Sequence, residues 1–171
     1  VQAWTSTLGY QNFQEAYTSD TENKLGFPKG NHFLEAWNGS AKVGKIYYTV
    51  QGVPAGIYNL KIDASASAKK DTEGNANLYV YAGSEKATVA SSTATTYNIT
   101  NRFVGGDLEI GICQETAFYN WIGIDNVELV YCGPVPNDEA FADLQASITA
   151  AEALVAKKMQ GSVLTELNEG I

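Results

Sequence analysis

Histidine is almost missing from this chain. Among 171 residues there is one, His32. A serine or cysteine nucleophile needs a base to take its proton, so any such triad would have to be built on His32. The segment around it, NHFLEAW, reads as a strand and holds nothing like a nucleophile elbow. The same scarcity argues against zinc, because one His and two Cys offer too few ligands and no metal-binding spacing. Basic residues are few as well, 11 Lys and Arg against 19 Asp and Glu, for a net charge of −8. Duplex nucleic acid is held by clustered cations, and the densest run here is Lys69-Lys70, so neither nucleic acid nor an anionic membrane surface is expected as a partner. No apolar run approaches the ~20 residues of a membrane-spanning helix, and no membrane insertion is expected. No leader-like segment opens the chain, which reads as a mature or excised piece. There is no glycine-rich loop of the kind that cradles phosphates between a strand and a helix. The acidic residues could supply a facing carboxylate pair for glycoside hydrolysis, but no local motif singles one out. No enzyme activity, catalytic residue or bound metal is expected.

Cysteine is scarce too. Cys113 and Cys132 each close a strand-like apolar run. They form a disulfide if those strands are neighbours in an oxidising compartment; otherwise they are two buried thiols.

What the chain has is aromatic and neutral polar. Apolar residues make up 44% of it, enough for a normal core, while charged residues make up 18%. Ten Tyr and three Trp accompany frequent Gly, Ser, Thr and Asn. That mixture suits an extracellular or cell-surface β-rich protein with a neutral polar exterior. From about residue 31 to 131 short strands alternate with turns. In VGKIYYTVQ, Ile46, Tyr48 and Val50 share one face and Lys45, Tyr47, Thr49 and Gln51 the other. After the turn Val53-Pro54-Ala55-Gly56, Tyr58, Leu60, Ile62 and Ala64 form an apolar row opposite Asn59, Lys61, Asp63 and Ser65. KKDTEGNA is a polar loop. NLYVYAG then sets Leu78 and Val80 against Tyr79 and Tyr81. TTYNITNRFV and DLEIGIC are separated by Gly105-Gly106, a hairpin signal, and Trp121–Tyr131 is the last strand. A strand is expected near Trp4, with long loops after it. This spacing predicts an all-β fold, an antiparallel β-sandwich or barrel.

The character changes at Gly133-Pro134-Val135-Pro136, a stiff linker. NDEAFADLQASITAAEALVAKK beyond it predicts a helix capped at Asn137 or Asp138, with Phe141, Leu144, Ile148, Ala151 and Val155 on one face, ending at Gly161. SVLTELNEGI reads as the start of a second helix. One amphipathic helix cannot bury its stripe alone, so it either docks on the sandwich or opens a further helical region of a larger parent, the reading preferred here. The expected division is 1–133 for the sandwich and 134–171 for the linker and helical segment.

Two candidate sites follow from the rings. If the aliphatic rows make the core, Tyr47, Tyr79 and Tyr81 line a sheet surface together with Thr49, Asn59 and Asp63. Trp37-Asn38-Gly39 and Tyr119-Asn120-Trp121 end or precede strands, so Trp37, Asn120 and Trp121 form a candidate loop site. Sugars present hydroxyls at their edges and C–H faces to aromatic rings, and these residue types suit them. In each case packing in a core is the competing use of the ring.

The order Trp4-Thr5, EAWNGS, VPAGIYNLKIDASA, LYVYAG, GDLEIGI, NWIGIDNVELVY resembles the galactose-binding-like jelly-roll carbohydrate-binding modules of Bacteroidetes polysaccharide-degrading proteins. The most specific parts are the PAG-x-Y turn from Pro54 to Tyr58 and W-x-x-x-D-N-V-x-L from Trp121 to Leu129. The resemblance implies two antiparallel sheets, with a polysaccharide or oligosaccharide bound on a sheet face or among loops at one end. It implies a non-catalytic module of the kind attached to xylanases and glucanases, holding a xylan or β-glucan near a catalytic domain of the same parent chain. Many such relatives hold a structural calcium through carboxylates of the opening and last strands. Asp125 stands at the latter position, whereas the N-x-x-F-E segment usual before the W-T pair is absent or trimmed, the chain beginning at Val1. The alternative for Asp125 is to accept hydrogen bonds from backbone groups of a nearby loop. The residues themselves call for no cofactor. The competing expectation for the whole chain is a structural or adhesive spacer with no sugar site.

Overall fold

The computed structural model describes residues 3–17, 25–28, 32–90, 92–136 and 144–157. The chain divides into two units, Val1–Pro134 and Val135–Ile171. The first is a sandwich of ten strands: β1 (Thr5–Ser6), β2 (Asn12–Tyr17), β3 (His32–Trp37), β4 (Gly44–Val53), β5 (Gly56–Ser67), β6 (Leu78–Ala82), β7 (Glu85–Thr88), β8 (Thr95–Phe103), β9 (Gly106–Gln114) and β10 (Trp121–Gly133). One sheet runs β1-β4-β9-β6-β7 and the other β2-β3-β10-β5-β8, with every pair antiparallel. The all-β antiparallel sandwich read from the strand spacing is the fold observed.

Period-2 alternation makes the core. Tyr58, Leu60, Ile62, Ala64 and Ala66 of β5 point inward from one sheet, as do Ile122 and Ile124 of β10; Ile46, Val80, Leu108, Ile110 and Ile112 point inward from the other. Each such aliphatic side chain contributes about 1.5–3 kcal/mol on burial. A buried amide frames one end. Gln114 donates from Nε2 to the carbonyls of Lys42 (2.7 Å) and Tyr119 (2.9 Å), and its Oε1 accepts from the Tyr119 amide (2.8 Å).

Three expectations are corrected. Gly105-Gly106 is not a hairpin turn, because β8 and β9 lie in opposite sheets. It is a corner that passes beside the Val53–Gly56 corner, where β4 likewise hands over to β5, and Tyr58 donates its hydroxyl to the Pro54 carbonyl at 2.8 Å. Ile99 and Leu108 on either side of the glycine pair face the core from opposite sheets, which a hairpin could not achieve. The tight hairpin is instead β6–β7, closed by Gly83-Ser84, and β7 and β2 were not foreseen. The cysteines sit on β9 and β10, also in opposite sheets. Both are free, Cys113 half-buried and Cys132 exposed, so they are neither bridged nor a pair of buried thiols. Finally, Asn59, Lys61 and Asp63 do not share a face with the tyrosines, because β5 belongs to the other sheet.

In the second unit a helix α1 covers 144–157. Leu144, Ile148 and Val155 are exposed, and Ile148, Ala151 and Val155 line a shallow apolar groove. The expected caps at Asn137 and Asp138, Phe141, the stop at Gly161 and the second helix lie outside the described residues.

Candidate functional site

The outer face of the β1-β4-β9-β6-β7 sheet gathers the tyrosines. Pairing aligns Thr5, Tyr47, Gly111, Tyr81 and Lys86 in one row across five strands, and Lys45, Cys113, Tyr79 and Thr88 in the next. Side chains in register on antiparallel neighbours share a face, so these rows stand side by side. Gly111 leaves a gap between two rings. A Cβ there would meet the Ile46 carbonyl oxygen at 2.1 Å, so no larger residue fits this close approach of β4. The same face holds a depression of about 400 Å³ lined by Lys45, Tyr79, Tyr81, Lys86, Glu109 and Cys113 among others.

Its polar groups are organised around Glu109. Lys45 Nζ donates to both carboxylate oxygens at 2.7 Å, and the Tyr81 hydroxyl donates to Oε1 at 2.7 Å. The Lys45 ammonium also lies 4.4 Å from the Tyr47 ring centroid. Tyr79 meets Tyr81 edge to face at 6.1 Å and donates its hydroxyl to Glu115 Oε1 at 2.7 Å. Burial raises the Glu109 pKa, but the hydrogen bonds from Lys45 and Tyr81 outweigh it and hold the carboxyl below its ordinary range. Tyr81, only 7% exposed, is pushed well up by burial and by its bond to Glu109. Tyr79 is pushed up by its contacts with Cys113 and Glu115. At neutral pH Tyr79 and Tyr81 therefore stay protonated phenols and Glu109 a carboxylate. The face can stack and hydrogen-bond, and neither of these phenols is poised to exchange a proton.

The other three candidate residues lie on the opposite sheet. Trp37 and Trp121 are register partners at one end of β3 and β10. Trp121 packs against a second apolar cluster of Leu25, Phe27 and Phe33, and its Nε1 donates to Glu35 Oε2 at 2.9 Å. Asn120 donates from Nδ2 to the Asn38 carbonyl at 2.8 Å, while its backbone joins Asn38 (2.9 Å) and Ser67 (3.2 Å). These polar atoms tie strand ends together. Leu25 and Phe27, 0% and 4% exposed, lie over Gly123, where a Cβ would meet Phe27 at 2.6 Å and Leu25 at 2.9 Å. This part of the sheet face is thus covered by its own chain.

A third concavity, about 300 Å³, opens where β3 parts from β10; it is lined by Trp4, Glu15, His32, Leu34, Asp125 and Asn126 among others. His32 and Glu15 approach to 2.6 Å, both largely exposed. Here the last strand breaks its register with β5. Asp125-Asn126 begins a β-bulge against β5, Asn126 adopts φ +48°, and its Nδ2 donates to Asp63 Oδ2 at 2.7 Å. Asn tolerates this left-handed conformation better than the β-branched residues around it. Calcium takes six to eight oxygens. Among the described residues no group of three or more His, Cys, Asp and Glu side chains is placed to hold a metal ion.

Sequence reasoning missed Lys86, Glu109 and Cys113 as neighbours of the tyrosines. Alternation alone puts Lys45 with Tyr47, but only the pairing of β4, β9 and β6 brings Glu109 to both Lys45 and Tyr81.

No family model matches the chain, and no curated protein matches it. Solved structures do. TmCBM61, in complex with β-1,4-galactotriose, is 13% identical and superposes with a TM-score of 0.52 over 75% of this chain and 88% of its own. The CBM22-1 xylan-binding domain of Paenibacillus barcinonensis Xyn10C is 10% identical, TM-score 0.53, over 79% and 89%. A cyclase from Fischerella sp. TAU is 15% identical, TM-score 0.55, over 78% and 86%. At these identities the likeness is one of fold.

Proposed function

We propose that the protein is a non-catalytic carbohydrate-binding module that holds a polysaccharide on the outer face of the β1-β4-β9-β6-β7 sheet. The observation that carries this reading is the open depression walled by Tyr79 and Tyr81, with Tyr47 beside it and the Lys45–Glu109 pair on its floor. Pyranose C–H faces stack on Tyr79 and Tyr47 in place of the Lys86 and Lys45 ammonium groups that lie over these rings, while ring-edge hydroxyls exchange hydrogen bonds with Glu109 and Lys45. Two relatives by fold bear on the substrate class: one was solved with a galactotriose and another is a xylan-binding domain. A plant polysaccharide of the xylan or β-glucan type suits the ring-lined face. Each stack contributes about 0.5–1.5 kcal/mol, so affinity is micromolar to millimolar and rises through repeated contacts on a polymer. The cyclase shares the fold, so fold alone does not separate binding from catalysis. Against general-acid catalysis on this face stand a Glu109 held ionised and phenols pushed away from neutrality. An extracellular module tethered beside a catalytic domain is the setting such weak, polymer-directed binding suits. Among the described residues no helix is long and apolar enough to cross a membrane.

Affinity electrophoresis in gels containing xylan, β-glucan, galactan or mannan tests the reading. Retardation by at least one polymer, lost in Tyr79→Ala and retained in a folded Trp121→Ala, is the expected result. Loss only in Trp121→Ala would move the site to the opposite sheet. No retardation by any polymer would leave a spacer domain, and release of reducing ends would make the protein an enzyme.

A further inference from the structure

The charges of the depression do not balance pairwise. Lys45 is spent on Glu109, both of whose oxygens it contacts at 2.7 Å. Glu115 already accepts hydrogen bonds from Tyr79 and Asn77, each at 2.7 Å. Lys86 on β7 has no such partner. Its ammonium lies 4.5 Å from the Tyr79 ring centroid at the wall of the depression, and among the described residues no carboxylate is within ion-pair distance of it. The neighbouring Glu85 is occupied by the Ser84 hydroxyl at 3.3 Å, and alternation along β7 turns it to the other face. What sets Lys86 apart is its place, an exposed ammonium over the ring of Tyr79 in the lining of the depression.

We propose that the glycan held on this face carries an acidic group, a uronate carboxylate or a sulfate ester, which Lys86 receives as the pyranose takes its place over the Tyr79 ring. This deepens the carbohydrate-binding reading and rests on it. A cation poised over a π-face stays hydrated on its outer side, so an anion reaching it forms a charge-assisted hydrogen bond without breaking an existing ion pair. Lys45 cannot serve this role, because its charge is already neutralised. Its pairing also shields an incoming anion from Glu109.

The test compares polymers that differ only in the acid. Dissociation constants are measured for glucuronoxylan and for the same polymer after carboxyl reduction, with polygalacturonate and a sulfated galactan as further arms. The expected result is about two- to fivefold tighter binding of the acidic form, shrinking as salt is raised. Lys86→Gln brings the ratio of the two constants to one, and Lys86→Arg keeps it above one. Preference for the sulfated arm alone would keep the anion and identify its source as the ester. Equal binding of acidic and reduced polymers, or a preference that survives Lys86→Gln, overturns the proposal and leaves the carbohydrate-binding reading intact. Retardation by no polymer at all removes both.

Discussion

Glu109→Gln is the substitution that most directly questions the organisation of the sheet face. Glu109 accepts two contacts from Lys45 and one from Tyr81, all at 2.7 Å. The amide keeps the shape and one carbonyl oxygen. The buried Tyr81 hydroxyl retains an acceptor, but a neutral one, and the difference between a charged and a neutral acceptor is about 1 kcal/mol. The Lys45 pair is lost outright. Its side chains are 35% and 33% exposed, so water recovers much of its worth and about 0.5–1 kcal/mol goes with it. The variant should be less stable by about 1.5–2 kcal/mol at pH 7, a urea midpoint lower by about 0.5–1.5 M. The pH dependence has a definite sign. The folded-state pKa of Glu109 is depressed, so its contribution is complete above the unfolded value of about 4.3 and is lost as pH falls through the lower folded value. Urea melts at pH 7, 5.5 and 3 should show a gap between the two proteins that holds from 7 to 5.5 and narrows at 3. A gap that is absent at pH 7, or as wide at pH 3, would refute the assignment of Glu109 as the charged hub.

Two other outcomes follow from the packing. Gly123→Ala forces a methyl to within 2.6 Å of Phe27, 2.9 Å of Leu25 and 3.1 Å of Phe33; overpacking of this kind costs about 1–3 kcal/mol, and calorimetry should show Tm lowered by about 3–10 °C, whereas an unchanged Tm would mean that Leu25 and Phe27 do not cover the sheet. Native alkylation followed by mass spectrometry should label Cys132 faster than Cys113, with no Cys113–Cys132 peptide after mild oxidation of the monomer; recovery of that peptide would contradict the placement of β9 and β10 in opposite sheets.

Local alternation was enough to establish most of the sandwich. The rows Tyr58-Leu60-Ile62-Ala64 and Leu78-Val80 are buried as a period of two requires, because a strand can hide only one face at a time. It was also enough to set Tyr79 and Tyr81 opposite an aliphatic row. Alternation says which residues share a face of one strand and nothing about which strand comes next. Gly105-Gly106 therefore read as a hairpin when it is a corner, and Asn59 and Asp63 were grouped with tyrosines that lie on the other sheet. The bulge at Asp125-Asn126 is a backbone event that a carboxylate in an apolar run only hints at. Glu109 meets Lys45 and Tyr81, three residues from three strands, through pairings with sequence separations of 64 and 28. Such contacts are decided by how the whole chain closes its core, since only then does each strand acquire its neighbours, and with them the charges that surround each ring.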